Sequence, residues 1–181
     1  VIFVLNKKQK LIYNDVRKFG FIKIYNSSLI KQSQHLKNLG PEPLEKNWNF
    51  SYLKNYLIGR KRSIKNILMD QKCVSGLGNI YVNEILFLSG IKPVRQATKI
   101  KNFEIEKIIK FSKKILKNSI NLGGSTIKDF SSENGKKGVF QQHFKVYGKE
   151  NQDCSNIDCN SKIIRTVISN RATFFCKNCQ K

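Results

Sequence analysis

Apolar residues change their spacing twice along this chain. Residues 1 to 26 carry them in short runs. Val1-Ile2-Phe3-Val4-Leu5 and Lys10-Leu11-Ile12-Tyr13 flank the polar Asn6-Lys7-Lys8-Gln9, and Phe21-Ile22-Lys23-Ile24-Tyr25 follows a polar loop over Asn14–Gly20. These runs predict three strands. So few strands do not make a stable free-standing sheet, so this stretch is expected to be the tail of a larger β domain. Residues 27 to 48 read as a connector whose short helical stretch ends at Leu39-Gly40-Pro41-Glu42-Pro43, where two prolines stop it. From Asn49 the spacing becomes helical. Phe50, Leu53, Tyr56 and Leu57 mark one helix, and Ile64, Ile67 and Leu68 a second. Ile80 to Leu88 is a third, closed by Gly90 and Pro93, and about Asn102 to Asn121 a fourth, closed by Gly123-Gly124. These stripes are core positions. The polar, glycine-bearing stretch 131–139 is expected to be a loop.

The pattern turns extended again near the end. Lys162–Ile168 is β-branched, Ser169-Asn170-Arg171 reads as a turn, and Ala172–Phe175 as the return strand. Four of the five cysteines bracket this hairpin: Cys154 and Cys159 before it, Cys176 and Cys179 after it. Two close pairs at the open end of a hairpin predict a four-thiolate zinc site, and four cysteines leave no coordination position for water, so the role is structural. The alternative, two disulfides, requires an oxidising compartment, and no signal-peptide pattern is seen. Cys73 stands apart and reads as a small buried residue.

Charge adds a partner. Lys plus Arg number 34 against 12 Asp plus Glu, a net +22 over 181 residues. Such a balance points to a polyanion, nucleic acid first, although abundant Lys, Asn and Ile also follow from an AT-rich genome. No apolar run reaches membrane-spanning length. Gly76-Leu77-Gly78-Asn79, between the second and third helices, permits a tight turn whose following helix start presents N–H groups to a phosphate. A plain helix-to-helix turn is the competing reading. Arg60, Lys61, Arg62 and Lys65 flank it.

Together these residues carry a resemblance. Asp15-Val16-Arg17-Lys18-Phe19-Gly20, Leu39-Gly40-Pro41-Glu42-Pro43, Ile64-Lys65 with Leu68-Met69-Asp70-Gln71, Gly76–Tyr81, Gly123–Phe130, Val146-Tyr147-Gly148 and Asn170–Lys181 stand in an order that resembles bacterial formamidopyrimidine-DNA glycosylase from end to end. The resemblance implies an α+β protein of several domains: the end of the β-sandwich catalytic domain at 1–26, a linker at 27–48, a helix-two-turn-helix domain at 49–145 and a zinc finger at 146–181. It implies excision of oxidised purines such as 8-oxoguanine and formamidopyrimidines, followed by lyase cleavage at the abasic site, with the damaged nucleotide extruded from the duplex.

Residue by residue, it implies that Arg17 and Phe19 fill the gap left in the stack and that Arg60, Lys65 and Asn79 contact phosphates, with Lys61 beside them. Arg171 grips the phosphates flanking the flipped nucleotide and takes part in the last elimination, and the loop 131–139 covers the extruded base. The expected partner is duplex DNA carrying an oxidised purine or an abasic site, bound by a cytoplasmic, nucleoid-associated monomer with one zinc ion. One departure stands out. The family's nucleophile is an N-terminal proline assisted by a glutamate, and here Val1 stands first while Pro41, Pro43 and Pro93 are internal. The expectation is therefore a chain that lacks most of the catalytic domain and binds DNA without cutting it. The alternative is a non-catalytic, zinc-containing DNA-binding protein; a zinc-ribbon RNA binder fits the glycine turn and the Arg–Phe pair less well.

Overall fold

The computed structural model describes residues 1–5, 9–15, 18–125 and 138–181. The chain divides into two compact units, Val1–Lys37 and Asn38–Lys181. In the first, β1 (Ile2–Leu5) pairs antiparallel with β2 (Gln9–Ile12), Ile2 opposite Ile12, and reciprocal bonds between Val1 and Tyr13 close the open end. Every residue of both strands is exposed. The third strand expected at Phe21–Tyr25 is not formed: the segment finds no ladder partner among the described residues, and without one an apolar, β-branched run has nothing to pair with. A single 3₁₀ turn, Ile30–Gln32, replaces the helical stretch foreseen in the connector.

The second unit begins with four helices where the apolar periodicity placed them: α1 (Phe50–Leu57), α2 (Ile64–Leu68), α3 (Asn79–Ser89) and α4 (Asn102–Asn121). Their ends follow local chemistry. Asn49 caps α1 by accepting from the Tyr52 N–H at 3.0 Å, and Ser63 caps α2 through the Asn66 N–H at 3.3 Å. Gly90 ends α3 in the left-handed conformation, φ 72°. Helix α4 starts with Glu104 accepting from the Lys101 N–H at 2.8 Å. The same carboxylate takes two bonds from Arg95, at 2.7 and 2.6 Å. Burial pushes the Glu104 carboxyl up, but these bonds outweigh it and leave the group below its ordinary value.

Ile105, Ile108 and Ile115 of α4 meet Val82, Ile85 and Leu86 of α3 in one core, joined by Leu53, Leu57, Ile64, Ile67 and Leu68. Trp48, assigned to the connector by its sequence position, lies fully buried in this core, with its indole N–H donating to Ser112 Oγ at 2.8 Å. Gly40 lies so close to the chain at Lys72 and Cys73 that a β-carbon would fall 2.4 Å from the Cys73 carbonyl oxygen. That approach, with the Gly40 N–H donating to Gln71 O at 2.8 Å, accounts for a glycine just ahead of the two prolines.

Strands β3 (Ile163–Ile168) and β4 (Arg171–Cys176) form the terminal hairpin. Ser169 and Asn170 both have positive φ, 48° and 58°, which makes a two-residue type I′ turn. Arg171 is consequently the first residue of β4, opposite Ile168, rather than part of the turn. A second, smaller core of Phe87, Val146, Ile163, Phe174 and Cys176 lies beneath the hairpin.

Candidate nucleic-acid interface and metal centre

The four cysteines at the open end of the hairpin converge. The sulfurs of Cys154, Cys159, Cys176 and Cys179 all lie within 4.8 Å of one another, with Cys154–Cys179 at 3.8 Å and Cys159–Cys176 at 3.7 Å. A regular tetrahedron with metal–sulfur bonds of about 2.3 Å has edges of about 3.8 Å, so the cage fits a zinc-sized ion. A disulfide needs about 2.05 Å between sulfurs, and neither pair approaches it. The two extra residues of the first cysteine pair are absorbed in a turn in which Asp158 takes φ 63° and Ile157 projects outward, while the Cys154 N–H donates to Ser161 O at 2.9 Å. Asn178 points its amide N–H at Cys159 Sγ, 3.6 Å away. Gln180 accepts from the Cys176 N–H at 2.9 Å and donates to Ile91 O at 2.8 Å, tying the second cysteine turn to the end of α3. Cys73 is buried far from this cluster in sequence; burial, with Asp70 nearby, pushes its thiol up to about 12.

At the other end of the hairpin, side chains of α2 and α3 hold the backbone of β4. Lys65 donates to Ala172 O at 3.1 Å and to Thr173 Oγ1 at 2.6 Å. Asn79 donates to Ala172 O at 2.9 Å, and Asn83 accepts from the Phe174 N–H at 2.8 Å. Lys65 is fully buried, so this residue, expected among the phosphate contacts, is turned inward and spends its donors on the hairpin. Desolvation, with the Arg171 guanidinium nearby, lowers its ammonium from 10.5 to about 8. Asn79 is likewise engaged through its amide. Asn83, Thr173 and the buried Glu84 are site-building residues the sequence reading did not single out. For Asn83 and Glu84 the one local signal is polarity at positions of α3 that the helical period assigns to the core; Thr173, in β4, carries none.

The glycine turn is braced from below. Gln71 accepts from the Gly76 N–H at 2.7 Å and donates to Leu77 O at 3.0 Å, and Gly76 takes φ 82°. Gly78 begins α3 with no side-chain cap, and among the described residues no side chain is seen to take the first-turn N–H groups. Between α1 and α2 stand three exposed cations: Arg60, whose guanidinium lies 4.0 Å from the Tyr56 ring centre, Lys61, and Arg62, which pairs with Asp70 at 3.1 Å. Arg171 is exposed and lines a cleft with Arg62, Asn66, Asp70 and Ser169. The structure thus brings the hairpin start, α2 and the α3 start together. Phe19 belongs to the other unit and is exposed. Arg17 and most of the 131–139 loop lie outside the described residues; the loop's stems meet at a Ser125–Val139 bridge, with Phe140 N–H donating to Gly124 O at 3.1 Å.

Residues 39–131 match the model of the formamidopyrimidine-DNA glycosylase H2TH domain. Among curated proteins, the formamidopyrimidine-DNA glycosylase of Rickettsia felis is 43% identical over 180 residues, 99% of this chain and 64% of that protein. That of Rickettsia bellii is 41% identical over 181 residues, all of this chain and 65% of that protein. The chain therefore spans just under two thirds of these relatives. Among solved structures, the MutM (Fpg) protein of Thermus thermophilus superposes with a TM-score of 0.89 at 32% identity, covering 99% of this chain and 67% of that one. Lactococcus lactis Fpg in complex with DNA containing an abasic site superposes with a TM-score of 0.86 at 34% identity, covering 95% and 62%. With the family's helical domain matched over half the chain and its fold followed almost throughout, the chain belongs to the formamidopyrimidine-DNA glycosylase family.

Proposed function

We propose that this chain is the duplex-gripping part of a base-excision repair glycosylase. The whole enzyme removes oxidised purines, 8-oxoguanine and formamidopyrimidines, and then cleaves the strand at the abasic site. One observation carries the reading: Lys65, Asn79 and Asn83 fix the start of β4 against α2 and α3, so Arg171 stands beside the uncapped, glycine-entered start of α3. Backbone N–H groups at a helix start and a nearby guanidinium are complementary to adjacent phosphates. The likeness to Lactococcus lactis Fpg bound to Fapy-dG-containing and abasic-site DNA supports the same partner.

In this reading Arg171, Arg60 and Lys61 meet phosphates directly, while Lys65 and Asn79 act mainly by positioning Arg171. Arg171 contributes to the last elimination as a phosphate clamp, since a guanidinium is too weak an acid to be a useful proton donor. Arg17 and Phe19 fill the gap in the stack, and the 131–139 loop covers the extruded base. The cysteine cage holds one structural zinc ion, and the protein acts as a nucleoid-associated monomer. The 181 residues alone bind lesion DNA without excising the base, because none of the three prolines offers an α-amine.

The test uses the purified 181-residue chain and labelled duplexes. It is expected to hold one zinc per chain, to prefer an 8-oxoguanine or tetrahydrofuran-abasic duplex over an undamaged one, and to give no borohydride-trapped adduct. A zinc-loaded chain that shows no lesion preference in dilute buffer overturns the binding reading, and a trapped adduct overturns the claim that this part does not cut.

A further inference from the structure

Helix α4 carries a surface that the proposed lesion grip does not use. Its buried face is formed by Ile105, Ile108, Ser112, Ile115 and Ser119. On the opposite side, Lys107, Lys110, Lys114 and Lys117 recur at intervals of three, four and three, which places them on one line at 3.6 residues per turn. All four are exposed, and among the described residues none makes an ion pair. Lys107 lies over the ring of the exposed Phe103, 5.5 Å from its centre. Both ends of the line open into clefts with further cations: Lys99, Lys101 and Lys181 at the Lys107 end, Lys145 at the Lys114 end. Four charges held in a row repel one another, and the one exposed acid of α4, Glu106, makes no ion pair with them among the described residues.

We infer that this lysine ridge is a second nucleic-acid surface, which takes the phosphate backbone of another duplex segment while the α3 start and Arg171 hold the lesion; the inference rests on the DNA-binding reading above. Dimensions favour a nucleic-acid strand. From Lys107 to Lys117 the ridge rises roughly 15 Å, and a duplex laid along it carries one phosphate per strand for roughly every 3.4 Å of its axis, so phosphates are available along the whole ridge. An amphipathic membrane helix would alternate these lysines with a broad apolar face in the open, whereas here the apolar face of α4 is buried in the core. The position favours a separate segment. α4 packs its inner face on α3, and the hairpin is held by α3, so the ridge faces away from the α3 side that holds the hairpin. A protein that holds two segments can pass directly from one to the other.

The test compares the chain with a variant carrying Lys107→Gln, Lys110→Gln, Lys114→Gln and Lys117→Gln, substitutions that keep helix propensity. The wild type is expected to bind a second duplex after the first, with a log–log salt slope near −3.6, about 0.9 per phosphate. Its dissociation from a labelled abasic-analogue duplex is expected to accelerate in proportion to unlabelled competitor duplex. In the variant the second event and the acceleration disappear while lesion preference stays, and the matching Lys→Arg variant restores both. Arg171→Gln gives the converse, losing lesion preference and keeping the second event. A second event that survives in the Lys→Gln variant overturns the inference. Preferential displacement of the second duplex by polyglutamate of equal charge also overturns it, in favour of an acidic protein. If the wild type binds one duplex and never a second, only the ridge inference fails; if it binds none, the proposed function fails with it.

Discussion

Glu84 offers the sharpest quantitative test of how the two cores are joined. It sits in α3 among apolar neighbours, with 3% of its surface exposed, and its carboxylate faces the chain that leads into the hairpin. One oxygen accepts from the Val146 and Tyr147 N–H groups at 2.9 and 2.8 Å, and the other from the Lys145 N–H at 2.8 Å. Three converging donors require two acceptor oxygens, which a carboxylate has and an amide lacks. Glu84→Gln keeps the shape and one oxygen, but turns an NH₂ group toward one of the donors. Losing a charged bond and leaving a buried N–H unpaired costs about 2–3 kcal/mol. Glu84→Ala strands all three donors and opens a cavity, at a cost of about 4–6 kcal/mol. Urea unfolding followed by circular dichroism reads both as a lowered midpoint at unchanged slope. A Glu84→Gln protein within about 0.5 kcal/mol of wild type would show that the carboxylate is not what holds residues 145–147, and the account of the linkage would fall.

The buried Lys65 ammonium binds its proton less tightly folded, at about 8, than unfolded, at 10.5. Between those values the unfolded chain holds more protons, so stability is expected to rise with pH across that window, and Lys65→Met should abolish the rise in the difference between the two proteins' unfolding curves. Gly40→Ala drives a methyl group into the Cys73 carbonyl and is expected to destabilise by more than about 2 kcal/mol; an unchanged melting temperature would refute the close approach. Cys176→Ser removes one of four ligands from a fully buried position. Stoichiometric zinc should be lost and hydrogen-exchange protection of β3 and β4 should collapse, while the far-UV signal of α1–α4 persists; a hairpin still protected without metal would argue against a structural ion.

Features whose cause is local could be read from the chain before any coordinates. The stripes of α1, α3 and α4 follow from one period, and the cysteine cage from two close pairs around a β-branched run. Even the hairpin was misread by only one residue, because the two positions with positive φ are Ser169 and Asn170, which leaves Arg171 free to pair with Ile168. Features caused by distant partners could not be read. Phe21–Tyr25 has a strand's composition but no strand beside it among the described residues. Lys65 reads from the sequence as a phosphate contact, and its burial depends on Thr173, 108 positions away. Asn83 and Glu84 carry no local signal beyond polarity in an apolar helix; their bonds to Phe174 and to residues 145–147 span 91 and 61 to 63 positions. Gln71 lay inside a quoted motif, yet only the fold reveals that it braces Gly76 and Leu77.

The bonds that dock the hairpin share a property with consequences for how the protein works: most end on its backbone. Ala172 O, the Phe174 N–H and the Cys176 N–H are held by Lys65, Asn79, Asn83 and Gln180, and Thr173 Oγ1 is the one side-chain partner among the described residues. Backbone contacts fix position and register whatever side chains the strand carries, so β3 is free to vary on its exposed face while Arg171 stays in place. The same arrangement links the cysteine cage to the start of α3. Losing the cage releases Cys176 and frees β4, and Asn79 and Lys65 then lose the acceptors that keep their polar groups satisfied. A buried ammonium without partners is costly, so the α2–α3 turn must rearrange as well. Metal loss is therefore expected to weaken the proposed phosphate binding at the opposite end of β4, through Arg171 and the helix start together.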